Sequence, residues 1–202
     1  MIDMPSVRIP KRCALFRTPL IVLLLVTMTA LEAVAQISPR VNPQAAALED
    51  FQKRLAAYLD LRGHLVEKLK PLSTTPSASE LSARQESLAS ALREVRKGAK
   101  SGDLIPTGAA DLIRKTVVED MKHRTAAEKF GTFEEVANGP LPAINAMYPA
   151  QAALPTVPPL LLNNLPRLPD NLQYRFYARH IVLLDGDAGI IVDYIANALP
   201  PH

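Results

Sequence analysis

The stretch that decides the fold is YRFYARHIVLLDGDAGIIVDYI, Tyr174 to Ile195. Side chains alternate through Tyr174-Arg175-Phe176-Tyr177, and Ile181–Leu184 and Ile190–Val192 are short β-branched and aliphatic runs between turn residues. The links Ala178-Arg179-His180 and Asp185 to Gly189 are of hairpin length. The pattern predicts a three-stranded antiparallel meander over about 172–178, 180–185 and 189–195. Three strands are stable only when something covers one face.

The covering elements lie earlier in the chain. Asn42-Pro43 is a helix start, and Leu48, Phe51, Leu55, Tyr58, Leu59, Leu65 and Leu69 recur at three- and four-residue steps. This predicts a helix over about 44–70, stopped by Pro71. A second helix, about 79–97, carries a thin stripe of Leu81, Leu88, Ala91, Leu92 and Val95, with Gly98 beyond its end. A third, about 107–129, places Leu112, Ile113, Val117 and Met121 on one side, with Thr107 as N-cap and a short continuation near Phe133–Ala137. The expected class is α+β: antiparallel helices first, a small sheet last.

Between them, residues 140–169 hold eight of the chain's 18 prolines, which excludes long helices. Ile144 to Tyr148 reads as an edge strand, and the stretch after Thr156 as one turn of helix. Leu154, Leu160, Leu161, Leu162, Leu165 and Leu168 are too many for a solvated linker, so this strap is expected to lie against the domain.

The first 35 residues read as an export signal. Arg8, Lys11, Arg12 and Arg17 precede the apolar run Leu20–Ala30, and Ala33-Val34-Ala35 is a small-x-small cleavage pattern that leaves Gln36 first. An uncleaved anchor is the competing reading. A spanning helix needs about 20 apolar residues, and Glu32 interrupts this run well short of that. The expected location is periplasmic or secreted, with no transmembrane helix in the mature chain. Cys13 lies ahead of the apolar run, so the mature 167 residues carry no cysteine for disulfides or thiol chemistry. Charge falls from 23 basic and 20 acidic residues to 19 and 18, which leaves no field for polyanions. Trp is absent and the few aromatics fit the core, so nucleic acid is not an expected partner.

Motifs for chemistry are sparse. Asp185-Gly-Asp187-Ala-Gly189 begins like a calcium loop, but the fifth position is Gly189 and the twelfth is Ala196. Asp185 and Asp187 therefore read as solvent-facing turn residues ahead of metal ligands. His64, His123, His180 and His202 do not pair at ligand spacing, and no G-x-S-x-G or glycine-rich phosphate loop occurs. His180 is expected to be exposed in its turn. Arg93, Arg96, Lys97, Lys100, Arg114 and Lys115 cluster across helix ends and one turn, a possible basic interaction face with acids interleaved. No cofactor is expected.

Phe51-Gln-Lys-Arg-Leu-Ala-Ala-Tyr58, Gly98-Ala-Lys-Ser-Gly-Asp-Leu-Ile105, Tyr174-Arg-Phe, Ile181-Val-Leu-Leu-Asp185 and Ile191-Val-Asp-Tyr-Ile195 together resemble a group of uncharacterised exported bacterial proteins. That resemblance covers most of the mature chain and implies no activity. The last 25 or so residues also resemble the β-meander of a periplasmic nickel/cobalt-homeostasis family, in which a Y-R strand precedes V-L-x-D and G-x-I-x-D-x-I strands. The chain lacks that family's metal-rich tract. The leading expectation is a non-catalytic exported envelope protein that binds or stabilises a protein or envelope partner. A periplasmic metal-binding or metal-responsive protein is the alternative, and a hydrolase with an unfamiliar site the third.

Overall fold

A computed structural model describes residues 42–125, 140–149 and 157–199, all within one compact unit, Asn42–His202. The export signal with Ala33, Ala35 and Gln36, the short continuation expected near Phe133–Ala137, Leu154 and His202 lie outside the described residues, and the third helix ends at Lys122, short of the expected 129. Helices α1 (Pro43–Glu67), α2 (Ala78–Val95) and α3 (Thr107–Lys122) come first. A short α4 (Pro159–Asn164) follows, then β1 (Leu172–Tyr177), β2 (His180–Asp185) and β3 (Ile190–Ile195). The α+β meander is as the sequence pattern implies, with strand order β1-β2-β3.

The helix starts follow local chemistry. Asn42 Oδ1 accepts from the Gln44 amide at 3.0 Å, and Pro43 occupies the first turn, where its missing N–H costs nothing. Ser77 Oγ accepts from the Glu80 amide, and Glu80 reaches back to the amide and hydroxyl of Ser73. For α3 the expectation needs correcting: Pro106 is the N-cap and Thr107 is already inside the helix, with no side-chain cap. The loop before α3 is held instead by a carboxylate from β3, described below. α1 also ends three residues early, at Glu67 rather than Lys70.

The α1 stripe centres on Phe51, Leu55, Tyr58 and Arg62, all buried, while Leu59 is only half-buried on its flank. Against it pack Leu88, Ala89 and Leu92 from α2 and Ala109, Ile113 and Val117 from α3. α1 and α3 approach closely at Gly108, where an added Cβ would stand 2.8 Å from the Cβ of Ala47.

The sheet presents one face to this layer. The register places Leu172, Tyr174 and Phe176 opposite Asp185, Leu183 and Ile181, and places Ile181, Leu183 and Asp185 opposite Ile195, Asp193 and Ile190. One face therefore carries seven buried apolar side chains and two buried aspartates. Each fully buried aliphatic side chain contributes about 1.5–3 kcal/mol. A register shift between Leu183 and Leu184 marks a bulge, which brings Val192 into the core as well.

Of the expected edge strand 144–148, one bridge forms, Met147 with Ile190. The Asn145 amide donates to Ile191 O, the Ile191 amide to Ala146 O and the Tyr148 amide to Gly189 O, so the segment lies along the outer side of β3. Asn145 sits at φ 64°, a region that Asn tolerates. In the second half of the strap, Val157, Leu161 and Leu165 are buried, and Leu160 and Leu162 stay exposed.

Candidate functional site

α1 and the β2–β3 turn meet in a buried polar cluster. Tyr58 and Arg62 are one helical turn apart on the apolar face of α1 and point together at Asp185, the last residue of β2. Tyr58 Oη donates to Asp185 Oδ2 at 2.6 Å, and Arg62 Nε donates to the same oxygen at 2.9 Å. The other oxygen, Oδ1, accepts from the Ala188 amide at 2.9 Å. Arg62 Nη2 also pairs with Asp187, so one guanidinium bridges both carboxylates of the turn. Asp185 is fully buried, whereas the Asp187 side chain is 63% exposed. The reading of two solvent-facing carboxylates holds for Asp187 only.

Burial pushes the Tyr58 hydroxyl well above its ordinary value, and the neighbouring Asp185 charge adds to the rise. Burial alone would lower the Arg62 pKa, but the two carboxylates outweigh it and hold the guanidinium charged. As candidate metal ligands, Asp185 and Asp187 already converge on Arg62. Among the described residues no group of three or more His, Cys, Asp or Glu comes together to hold an ion.

Asp193 forms a second buried centre. Its oxygens accept from the amides of Gly102 (2.9 Å), Leu104 (2.8 Å), Ile105 (2.8 Å) and Tyr194 (2.7 Å), so a β3 side chain organises the loop before α3. Burial pushes this carboxyl upward, against the four amides that favour its charged form.

The six residues of the expected basic face do not share a role. Arg96 is buried rather than exposed: its Nη2 donates to Val192 O at 2.7 Å, and its guanidinium stacks over the Tyr58 ring at 5.0 Å. Arg96 Nε bonds Asn145 Oδ1, Asn145 Nδ2 returns a bond to Arg96 O, and Arg93 Nε bonds Asn145 O. Arg93 and Arg96 thus clamp the 140–149 segment on β3. Arg114 pairs with Asp111 at 3.0 Å and reaches Ala196 O. Lys97, Lys100 and Lys115 are exposed. His180, expected in solvent, is buried, and its Nδ1 accepts from the Asn197 amide at 3.0 Å.

The polar centres were missed in the sequence, although a signal existed. Arg62 follows Tyr58 by four residues and Leu55 by seven, so it falls inside the apolar stripe rather than beside it. Asp193 lies two residues from Ile195, on the side that strand alternation turns inward.

Several grooves open on the surface of the described residues. One, about 940 Å³, runs between α3 and α4 past Val118 and Leu160. A second, about 400 Å³, opens beside the polar cluster, with Arg62 and Asp187 in its wall. A third, about 680 Å³, follows β1 and the chain leading into it. No helix among the described residues is long and apolar enough to cross a membrane. No protein-family model matches the chain, and neither a curated protein nor a solved structure matches it.

Proposed function

We propose that the protein is an exported, non-catalytic component of the cell envelope that binds or stabilises a protein or envelope partner. Export rests on the basic segment, apolar run and Ala33-Val34-Ala35 at the start of the chain. The binding role rests on how polar and apolar groups are divided. The buried acids Asp185 and Asp193 bond to Tyr58, Arg62 and backbone amides, which is the work of holding elements together. Meanwhile Leu160 (73% exposed), Leu162 and Val118 stand in or beside long surface grooves. Exposed apolar side chains grouped at grooves are a signature of contact surfaces.

Two measurements test this reading. Fractionation with N-terminal sequencing should find the chain outside the cytoplasm and beginning at Gln36; a cytoplasmic chain would remove the envelope from the proposal. Photo-crosslinking residues placed at Leu141, at Val118 and Leu160 in the α3–α4 groove, and at Arg167 in living cells should test three different surfaces for a partner. A discrete adduct from at least one position supports binding, and none from any position refutes it.

A further inference from the structure

We infer that the edge of β1 left open among the described residues, with the groove beside it, docks an extended segment of a partner protein carrying a carboxylate. This rests on the partner-binding reading above and gives it a site and a ligand chemistry.

The sheet has two edges. The outer side of β3 is occupied by residues 145–148 through three backbone bonds. β1 is the other edge. Its register with β2 starts from Tyr177 opposite His180 across a two-residue turn, so alternate residues bond β2 and the remainder face away. Asn171 O, which accepts from the Gly186 amide, is on the inward phase; Leu172 N, which donates to Pro169 O, is on the outward phase. Leu172, Tyr174 and Phe176 therefore direct their backbone groups outward. Phe176 O accepts from the Tyr148 hydroxyl at 2.9 Å, which blunts the strand at its turn end. Between these two fixed points, the N–H and C=O of Tyr174 have no partner among the described residues. β1 also lacks the lysines and prolines that protect exposed edges.

The groove beside this edge has the chemistry to choose a strand. Val157, Leu162, Leu168 and Leu172 give it apolar lining, and its charged lining residues are two arginines, Arg167 and Arg175, with no acid among them. Arg175 is oriented by a 2.8 Å bond to Gln173 Oε1. Arg167 is exposed, and among the described residues only its carbonyl is engaged, by Gln52 Nε2 at 3.2 Å. A chain laid along β1 would exchange backbone bonds with Tyr174 and set alternate side chains into the apolar lining. It would need a negative charge to meet the two guanidinium groups.

The test uses the chain from Gln36 onward and labelled nonapeptides of alternating valine and threonine that end in aspartate, in lysine, or in aspartate with an N-methylated centre. Binding is read by fluorescence polarisation and the site by amide exchange. The aspartate peptide should bind at least about tenfold more tightly than the lysine peptide, and Arg167→Glu should remove most of that difference. N-methylation should abolish binding, and the Tyr174 amide should become protected. Equal binding of aspartate and lysine peptides, or protection elsewhere, overturns the proposal. So does concentration-dependent dimerisation of the unliganded chain that protects Tyr174, because the edge would then belong to a second copy. If no peptide binds while a crosslink at Val118 or Leu141 captures a partner, the β1 site falls and the partner-binding reading stands.

Discussion

The hydroxyl of Tyr58 and the carboxylate of Asp185 are 127 residues apart in the chain and 2.6 Å apart in space. With Arg62 they tie the first helix to the last hairpin through a charge fully removed from water. Such a pair is costly to break from one side, because the remaining charge stays buried without a partner.

Arg62→Ala should therefore destabilise the protein by about 3–5 kcal/mol in urea unfolding. Asp187→Ala, on the exposed arm of the same guanidinium, should cost at most about 1 kcal/mol. Replacing both buried partners, Arg62→Met with Asp185→Leu, should recover much of the Arg62→Ala loss. Equal effects of Arg62→Ala and Asp187→Ala would show that the cluster is solvated.

Asp193→Ala should release the loop before α3. The amides of Gly102, Leu104 and Ile105, now protected by the carboxylate, should exchange faster by at least about tenfold, with a stability loss of about 2–4 kcal/mol. Unchanged exchange at these three positions would mean that the loop is held by something else.

The phase of α1 has a simple measure. Leu55, buried to 1% exposure, should lose about 2–5 kcal/mol on Leu55→Ala, and the half-buried Leu59 clearly less. The reverse order would rotate the helix away from the face carrying Tyr58 and Arg62.

Tyrosine ionisation supplies a pH dependence. Burial raises Tyr58 and Tyr174 above the ordinary value of 10.0, so the folded state keeps two protons that the unfolded chain gives up. Their contribution is complete below pH 10.0 and is lost progressively as pH rises above it. Absorbance at the phenolate band should show these two tyrosines ionising only as the protein unfolds, and Tyr58→Phe should flatten the alkaline loss.

Ala178 occupies the first position of the β1–β2 turn at φ 49°, a left-handed conformation that costs an L-residue about 1–2 kcal/mol. Ala178→Gly should raise thermal stability, offset in part by glycine's greater freedom when unfolded. A fall in melting temperature would contradict the turn geometry.

The strands were legible because their apolar runs are short, β-branched and separated by turn residues, a pattern with few alternatives. The α1 stripe was legible for the same kind of reason, through Phe51, Leu55 and Tyr58. Asp185 was not, because Asp-Gly-Asp satisfies a turn equally well with its first carboxylate inward or outward. The choice is made by Arg62, which no local rule connects to residue 185. Arg96 was misplaced because helix-end arginines are usually solvated, and only the arrival of Asn145 and Val192 removes this one from water. Thr107 lost the N-cap position to Pro106, whose carbonyl accepts from the Ala110 amide and so starts the helix one residue earlier.

The tie between α1 and the final hairpin also sets an order of events in time. A chain emerging from its N-terminal side presents Arg62 long before Asp185 exists to neutralise it. It presents the amides of the loop before α3 long before Asp193 can receive them. The closing contacts of the domain thus wait for nearly its last strand, and a chain cut before residue 185 would lack a means of completing the core.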